Sequence, residues 1–362
     1  MTRMASLEVL ANFDPNVLVP PRPAGVKDQR NLPLFEAHPL QHAYRSRHSQ
    51  LQLPVEFHAY SADNTTIVCL ANRDKVAAFL EPIGYEPMVV RVGADDAKRY
   101  GLKADKDYAI VNLVMNDYAD TSAGPYKALP LSLFALQSDE SDNNGANPAL
   151  KDPTAALLPL LDPHVAMIMG PLAMSKNQAA FDVGRDVMGI DKFVADVRID
   201  HDQDGTTSSI VVNGRKLLDA RVSDGSPEEL LDAQARLFSE LGIFQSFKLL
   251  LGKNEPMEHP FIGWNGSEST YDKDRLPPAY CRSYTLNSPA FKLWNGNDRL
   301  DFTPGCALTD RLAEFECRPI LTSRDKLVSV AVELDDSQTE VVRKRQQQPR
   351  KQPPAVTKTT HR

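Results

Sequence analysis

The stretch "AAFDVGRDVMGIDKFVADVRID", residues 179–200, holds a Gly-Arg-Asp turn, and Lys192 follows Arg185 by seven places, where the pattern becomes apolar again. A lysine amine can attack a carbonyl carbon only when it is neutral. At an ordinary pKa of about 10.4, fewer than about one in a thousand is neutral at pH 7. Removal from water or a second cation nearby would lower that pKa. Ile190, Phe193 and Val194 around Lys192 suit removal from water. The plain alternative is a surface lysine flanking a strand, since lysine is seldom buried.

Other chemistry-bearing stretches are weaker. "DHDQDG" places Asp200, Asp202 and Asp204 at the first, third and fifth positions of a calcium loop, with Gly205 sixth. The twelfth position, which needs a bidentate glutamate, is Val211, and the flanks look like strands, so a polar hairpin turn is expected. No Gly-rich phosphate loop, GxSxG elbow or HExxH spacing occurs. Cys69, Cys281, Cys306 and Cys317 are scattered without a ligand spacing, which points to reduced thiols rather than a disulfide framework or zinc site.

The elements that must position Lys192 read as mostly β. Short runs rich in Val, Ile and Tyr, among them "TTIVCLA", "YAIVNLVM", "FVADVRI", "SSIVVNG" and "LVSVAVEL", recur without βαβ alternation. They predict an α+β domain over 56–336, built on a curved antiparallel sheet closed into a barrel or cone, with a few peripheral helices. "RDKVAAFLEP" predicts a short helix stopped by Pro82. "SPEELLDAQARLFSELGIF" predicts another, with Ser226 as N-cap, Pro227 in the first turn, and Leu230, Leu231, Leu237, Phe238 and Leu241 on one side. "SDESDNNGANPALKDP" reads as an inserted loop. Residues 1–55, Pro-rich and aperiodic, predict an extended arm that wraps the domain or is partly disordered, and 337–362 a disordered basic tail.

With 362 residues, 42% hydrophobic, the chain can bury a large core. Its net charge is −7 although seven basic residues lie beyond Glu340, so the folded part is acidic. That argues against nucleic acid as a partner. The most apolar stretch, "VAMIMGPLAM", is too short to span a membrane, and a cytoplasmic protein is expected.

Order and spacing around Lys192 resemble the acetoacetate decarboxylase family, in which a "VGRE" turn precedes, by the same interval, a Schiff-base lysine. Here those positions are Gly184, Arg185, Asp186 and Lys192. "IVCLANRDKVAAFLEPIGYEP" resembles the family's early strand and helix, and "NDYADTSAGPYKALPLSLFA" its "DTS…GxY" segment. "RLDFTPGCALTDRLAEFECRPILTSRDKLVSVAVELD", opening at Arg299 and Leu300, resembles its closing strands. The likeness runs over roughly 55–335.

The resemblance implies a lyase that decarboxylates a β-keto acid through an iminium on Lys192. Acetoacetate decarboxylase is itself the standard example of a lysine activated in this way. Arg185, Asp186 and Tyr126 would contact substrate, with Tyr126 donating a hydrogen bond. No cofactor and no metal is implied. The partner is a small-molecule keto acid, and a homo-oligomer is left open. This sequence also departs from the pattern. After Tyr126 it reads Lys127 and Ala128, where the family has a glutamate at the second place, and the lysine beside the Schiff-base lysine is Phe193. The family's other pocket glutamate and its early arginine fall on Val114 and Ala62. Two alternatives therefore stand: a non-catalytic relative that binds a small ligand, and an aldolase or dehydratase using the same lysine.

Overall fold

The computed structural model describes residues 8–9, 32–46, 48–138, 149–152, 154–156, 162, 164–236, 256–264, 278–286 and 290–347. Seven strands close on themselves: β1 (Phe57–Asn72), β2 (Lys106–Thr121), β3 (Tyr126–Gln137), β4 (Ala166–Met174), β5 (Met257–Gly263), β6 (Ala279–Leu286) and β7 (Arg318–Leu334). The order around the wall is β4, β5, β6, β7, β1, β2, β3 and back to β4. The expected α+β barrel is present. One seam is not antiparallel: β5 runs parallel to β4, with Ile262 opposite Ile168. A parallel pair needs a long crossover, and the chain between these strands supplies one.

Strand alternation sorts the side chains. On β1 the inward row is Asn64, Thr66, Val68 and Leu70, and on β2 it is Tyr118, Asn116, Val114, Asn112 and Ile110. Val68, Leu70, Ile110, Phe134 and Leu321 join one apolar cluster that fills the barrel beyond its cavity. The outward Ile67, Cys69 and Ala71 join a second cluster, packed with the helix Arg73–Leu80 and a four-stranded sheet outside the barrel. That sheet is Asp196–His201, Gly205–Val212, Arg215–Ser223 and Arg299–Phe302, all antiparallel.

The calcium-like stretch is the hairpin between the first two of these strands. Asp202 N donates to Gly205 O at 3.0 Å, and the Asp202 carboxylate accepts from Asp204 N at 2.8 Å. That carboxylate is occupied by the turn's own backbone. Among the described residues no His, Cys, Asp and Glu group is arranged to hold a metal ion.

Both terminal regions carry more structure than their composition predicts. Of the expected arm, Leu32–Ala37 is helical, and Ala43–Arg45 pairs with Gln52–Pro54, burying Leu34, Tyr44 and Leu53. With Ala43 and Val55, which are also buried, these apolar anchors hold an otherwise polar segment in place. Of the expected tail, Asp336–Gln347 is a helix that buries Val342. Residues 348–362, most of 1–31 and the loop residues 139–148 lie outside the described residues.

The helix Arg73–Leu80 is capped by Asn72, and Glu81–Ile83 continues it as a tighter turn. Ser226 caps the helix that follows it: Ser226 Oγ accepts from Glu229 N at 3.2 Å, and Ser226 N donates to Glu229 Oε2 at 2.8 Å. Its inward face runs through Leu230 and Ala233, while Leu231 is exposed. Leu237, Phe238 and Leu241 lie outside the described residues. Among the described residues no helix is long and apolar enough to cross a membrane.

Candidate active site

Lys192 opens the three-residue strand Lys192–Val194, which runs parallel to β4 with Lys192 opposite Leu172. β5 borders the first half of β4 and ends at Gly263, opposite Met169. Lys192–Val194 continues the wall where β5 stops. This is why the pattern turns apolar at Lys192: the chain re-enters a barrel wall there. Alternation then sends Lys192 into the cavity and Phe193 into the cluster outside the barrel.

The approach is shaped by a short helix, Gln178–Asp182, that widens into one π-helical turn, Val183–Val187. Asn177 caps the helix by accepting from Ala180 N at 2.9 Å. Its amide also donates to Ala123 O at 3.0 Å and Pro125 O at 3.1 Å in the β2–β3 turn. One side chain thereby fixes Tyr126, which follows that turn, relative to the lysine's helix. On the arm side, Ser46 Oγ and Ser49 Oγ both donate to the Asp182 carboxylate. A Cβ on Gly184 would overlap Lys192 Cε and Nζ, and one on Gly263 would overlap the Met188 carbonyl oxygen. Both glycines are therefore demanded by close approach.

Lys192 is 4% exposed. Its Nζ donates to Ala180 O at 2.7 Å and sits 5.7 Å from the Tyr126 ring centroid. Among the described residues no carboxylate pairs with it. Burial without a counter-ion brings its pKa from 10.5 down to about 7. Tyr126 stacks on Tyr118 at 4.6 Å, tilted by 31°. Burial pushes the Tyr118 phenol up to about 12 and that of Tyr126 well above 10, so both are protonated donors at neutral pH.

The cavity occupies about 230 Å³. Near the lysine its lining is apolar, with Val183, Met188, Ile190 and Leu172. Further along it becomes polar, with Asn64, Asn112, Asn116 and Ser132.

Of the four site residues expected from sequence, Lys192 and Tyr126 come together in the cavity. Arg185 and Asp186 do not line it. Val183 and Gly184 both line the cavity, and the turn then carries Arg185 and Asp186 past it. Arg185 lies 5.4 Å from the Phe181 ring centroid, and Asp186 is 3.6 Å from His48 on the arm. Lys127 also turns away from the cavity, donating to Ile199 O and sitting 3.6 Å from Asp117. Val114 does line the cavity, whereas Ala62 does not. The polar wall is absent from the expected site, although its signal is present: "NLVMND" sets Asn112 and Asn116 on the same face of a strand otherwise apolar.

No protein-family model matches the chain, and no curated protein does. Solved structures similar to it include acetoacetate decarboxylase from Legionella pneumophila, at 9% identity and TM-score 0.45, covering 77% of this chain and 85% of that one. A second acetoacetate decarboxylase is similar at 12% identity and TM-score 0.44, covering 78% of this chain and 92% of that one. The enduracididine biosynthesis enzyme MppR, complexed with the condensation product of pyruvate and imidazole 4-carboxaldehyde, is similar at 14% identity and TM-score 0.39, covering 80% and 92%. None of the three reaches a TM-score of 0.5, and the chemistry of the site stands on this chain's own side chains.

Proposed function

We propose that this chain is a divergent relative of the acetoacetate decarboxylases and a Schiff-base-forming lyase that removes carbon dioxide from a β-keto acid. The observation that carries the reading is a buried amine lining a cavity, paired with no carboxylate among the described residues and with its pKa lowered to about 7 by burial. About half of it is then the free nucleophile at neutrality, against fewer than about one in a thousand for an ordinary lysine.

The steps follow from that amine. Neutral Lys192 Nζ adds to the ketone carbon, and the carbinolamine loses water to give a protonated iminium. The bond to the carboxylate then breaks, its electron pair moves toward the iminium nitrogen, and carbon dioxide leaves. A proton returns to the carbon of the resulting enamine, and water hydrolyses the iminium to release the ketone and the free lysine. The iminium is the positive charge nearest the departing carboxylate, so this step needs no second cation. The apolar Val183, Met188 and Ile190 keep the carboxylate poorly hydrated, which favours its loss as a neutral gas. The Tyr126 phenol is the group suited to donate to the carbonyl or carbinolamine oxygen.

Borohydride reduction in the presence of a panel of β-keto acids, read by intact mass, tests this. A stable adduct on the wild type, absent from Lys192→Ala and Lys192→Arg, is the expected result; arginine stays protonated and cannot attack. Carbon dioxide released at an undiminished rate by Lys192→Ala would overturn it. A second reading, condensation or dehydration of a keto compound through the same iminium, is favoured by one feature. Val114 and Ala128 stand where the resembled decarboxylases carry carboxylates. Adducts without carbon dioxide release would select it.

A further inference from the structure

Part of the cavity wall carries polar side chains that do not bond to the rest of the barrel among the described residues. The side-chain oxygens of Asn64, Asn112 and Asn116 and the hydroxyl of Ser132 are buried and have no hydrogen-bond partner among the described residues. All four residues line the cavity. Asn112, Asn116 and Ser132 are 4%, 5% and 1% exposed. A buried polar group without a partner costs stability, and an apolar residue of the same shape would serve a purely structural wall better. These positions therefore need a reason other than folding.

Their arrangement supplies one. Asn64 on β1 lies directly opposite Asn116 on β2, and Asn112 on β2 directly opposite Ser132 on β3. Such cross-strand neighbours stand about 5 Å apart, and the two β2 asparagines about 13 Å apart along the strand. Asn116 is two residues from Tyr118, whose ring stacks on Tyr126 beside the amine. The polar ledge thus begins near the reacting lysine and leads away from it.

Its chemistry is neutral. Among the cavity-lining residues, Lys192 is the lone lysine or arginine, His259 the lone histidine and Asp325 the lone carboxylic acid; Asp325 lies opposite Asn64 in the register, and His259 stands on β5, which does not pair with β1 or β2. A carboxylate or phosphate on the far end of a ligand would meet no lysine or arginine there and would approach Asp325. A hydroxyl group both donates and accepts, which matches amides and a serine hydroxyl equally.

We infer that the Asn64, Asn116, Asn112 and Ser132 ledge is a subsite for a neutral, hydroxyl-bearing tail, so that the keto compound attacked by Lys192 is a hydroxylated one. This deepens the Schiff-base reading and rests on it for the position of the keto group. The ledge itself can be tested without that chemistry.

The test uses two matched pairs of ligands. The first pair is a six-carbon straight-chain acid and its analogue with hydroxyl groups on the last two carbons. Neither can form an imine, and binding to the full chain is measured by calorimetry. The hydroxylated acid should bind at least about fivefold more tightly, the range of one or two net hydrogen bonds. In Asn112→Leu and in Ser132→Ala the preference should fall, and both variants should melt at or above the wild-type temperature. Equal binding of the two acids by the wild type overturns the inference. So do variants that melt lower while keeping the preference, since the ledge is then structural. Ser132→Ala removes a single oxygen and guards against a misfolded Asn112→Leu. The second pair is the corresponding β-keto acids, trapped with borohydride and read by intact mass. A hydroxyl preference without any adduct keeps the ledge and removes the Schiff-base reading. Adducts of both keto acids without a preference do the reverse.

Discussion

Two lysines of this barrel are buried almost equally and have opposite surroundings. Lys292 is 2% exposed and Lys192 4%. Lys292 Nζ lies 2.5 Å from Asp298 Oδ2, and Asp298 also accepts from Ser223 N, Ser223 Oγ and Asn295 N. Its charge is matched and its partner is fully hydrogen-bonded, which is what a buried ion pair requires. Lys192 is offered one backbone carbonyl and an aromatic face. Burial alone therefore does not make a lysine a nucleophile. Burial without a carboxylate lowers the pKa of Lys192.

The largest effect is expected at Lys192. Besides losing all adduct formation, Lys192→Met should be more stable than the wild type. Bringing the pKa from 10.5 to about 7 corresponds to on the order of 5 kcal/mol. The sign follows from proton binding. Below pH 7 the folded and unfolded lysines are both protonated, and the folded state bears the whole cost. Between about 7 and 10.5 the folded amine has lost its proton while the unfolded one has not, so stability rises with pH and the cost fades. Denaturant unfolding at pH 6 and pH 10 should show a large gain for Lys192→Met at the lower pH and little at the higher. An equal gain at both would mean the amine is not shifted. The rate of adduct formation in the wild type should correspondingly rise through about pH 7 and then level off.

Asp298→Asn should have the next largest effect, destabilising the fold by about 3–5 kcal/mol, because it strands the Lys292 ammonium in the interior. Restoring most of that stability with Lys292→Met in the same chain would confirm that the pair, and not Asp298 alone, is responsible. Peptide mapping after borohydride trapping sharpens the contrast: label belongs on Lys192 and not on Lys292.

Gly184→Ala should act on the amine more than on the fold, because its new methyl group meets the movable end of the Lys192 side chain. Adduct formation should fall by about tenfold or more, the scale on which misplacing a reacting group acts, with little change in melting temperature. A large loss of stability with normal trapping would contradict the proposed contact. Tyr126→Phe should have the smallest effect. Removing one neutral hydrogen bond to substrate should cost about 1 kcal/mol in the trapping rate, with Lys192 still labelled.

Much of the site is legible in the chain itself. A lysine after a glycine turn and at the head of a strand of apolar residues is readable because alternation in a strand fixes which side chains share a face. Tyr126 is reached only through the resemblance of "NDYADTSAGPYKALPLSLFA" to the family's segment. That Arg185 and Asp186 lie off the cavity lining is not legible, because spacing along the chain does not say which way a helical turn is rotated. The asparagines of β2 are visible but ambiguous, since polar residues on a strand face water far more often than they line a closed interior.

Short β-branched runs, the capped helices, the polar hairpin at Asp202 and the neighbourhood of Lys192 are local properties, set by backbone sterics, turn chemistry and alternation along the chain. Closure is not local. That β5 pairs in parallel with one half of β4 and leaves the other half to Lys192–Val194, and that Ser46 and Ser49 pin Asp182, depend on segments distant in sequence. The free energy that ionises or neutralises an amine comes from what surrounds it in space, and only the closed barrel sets those surroundings.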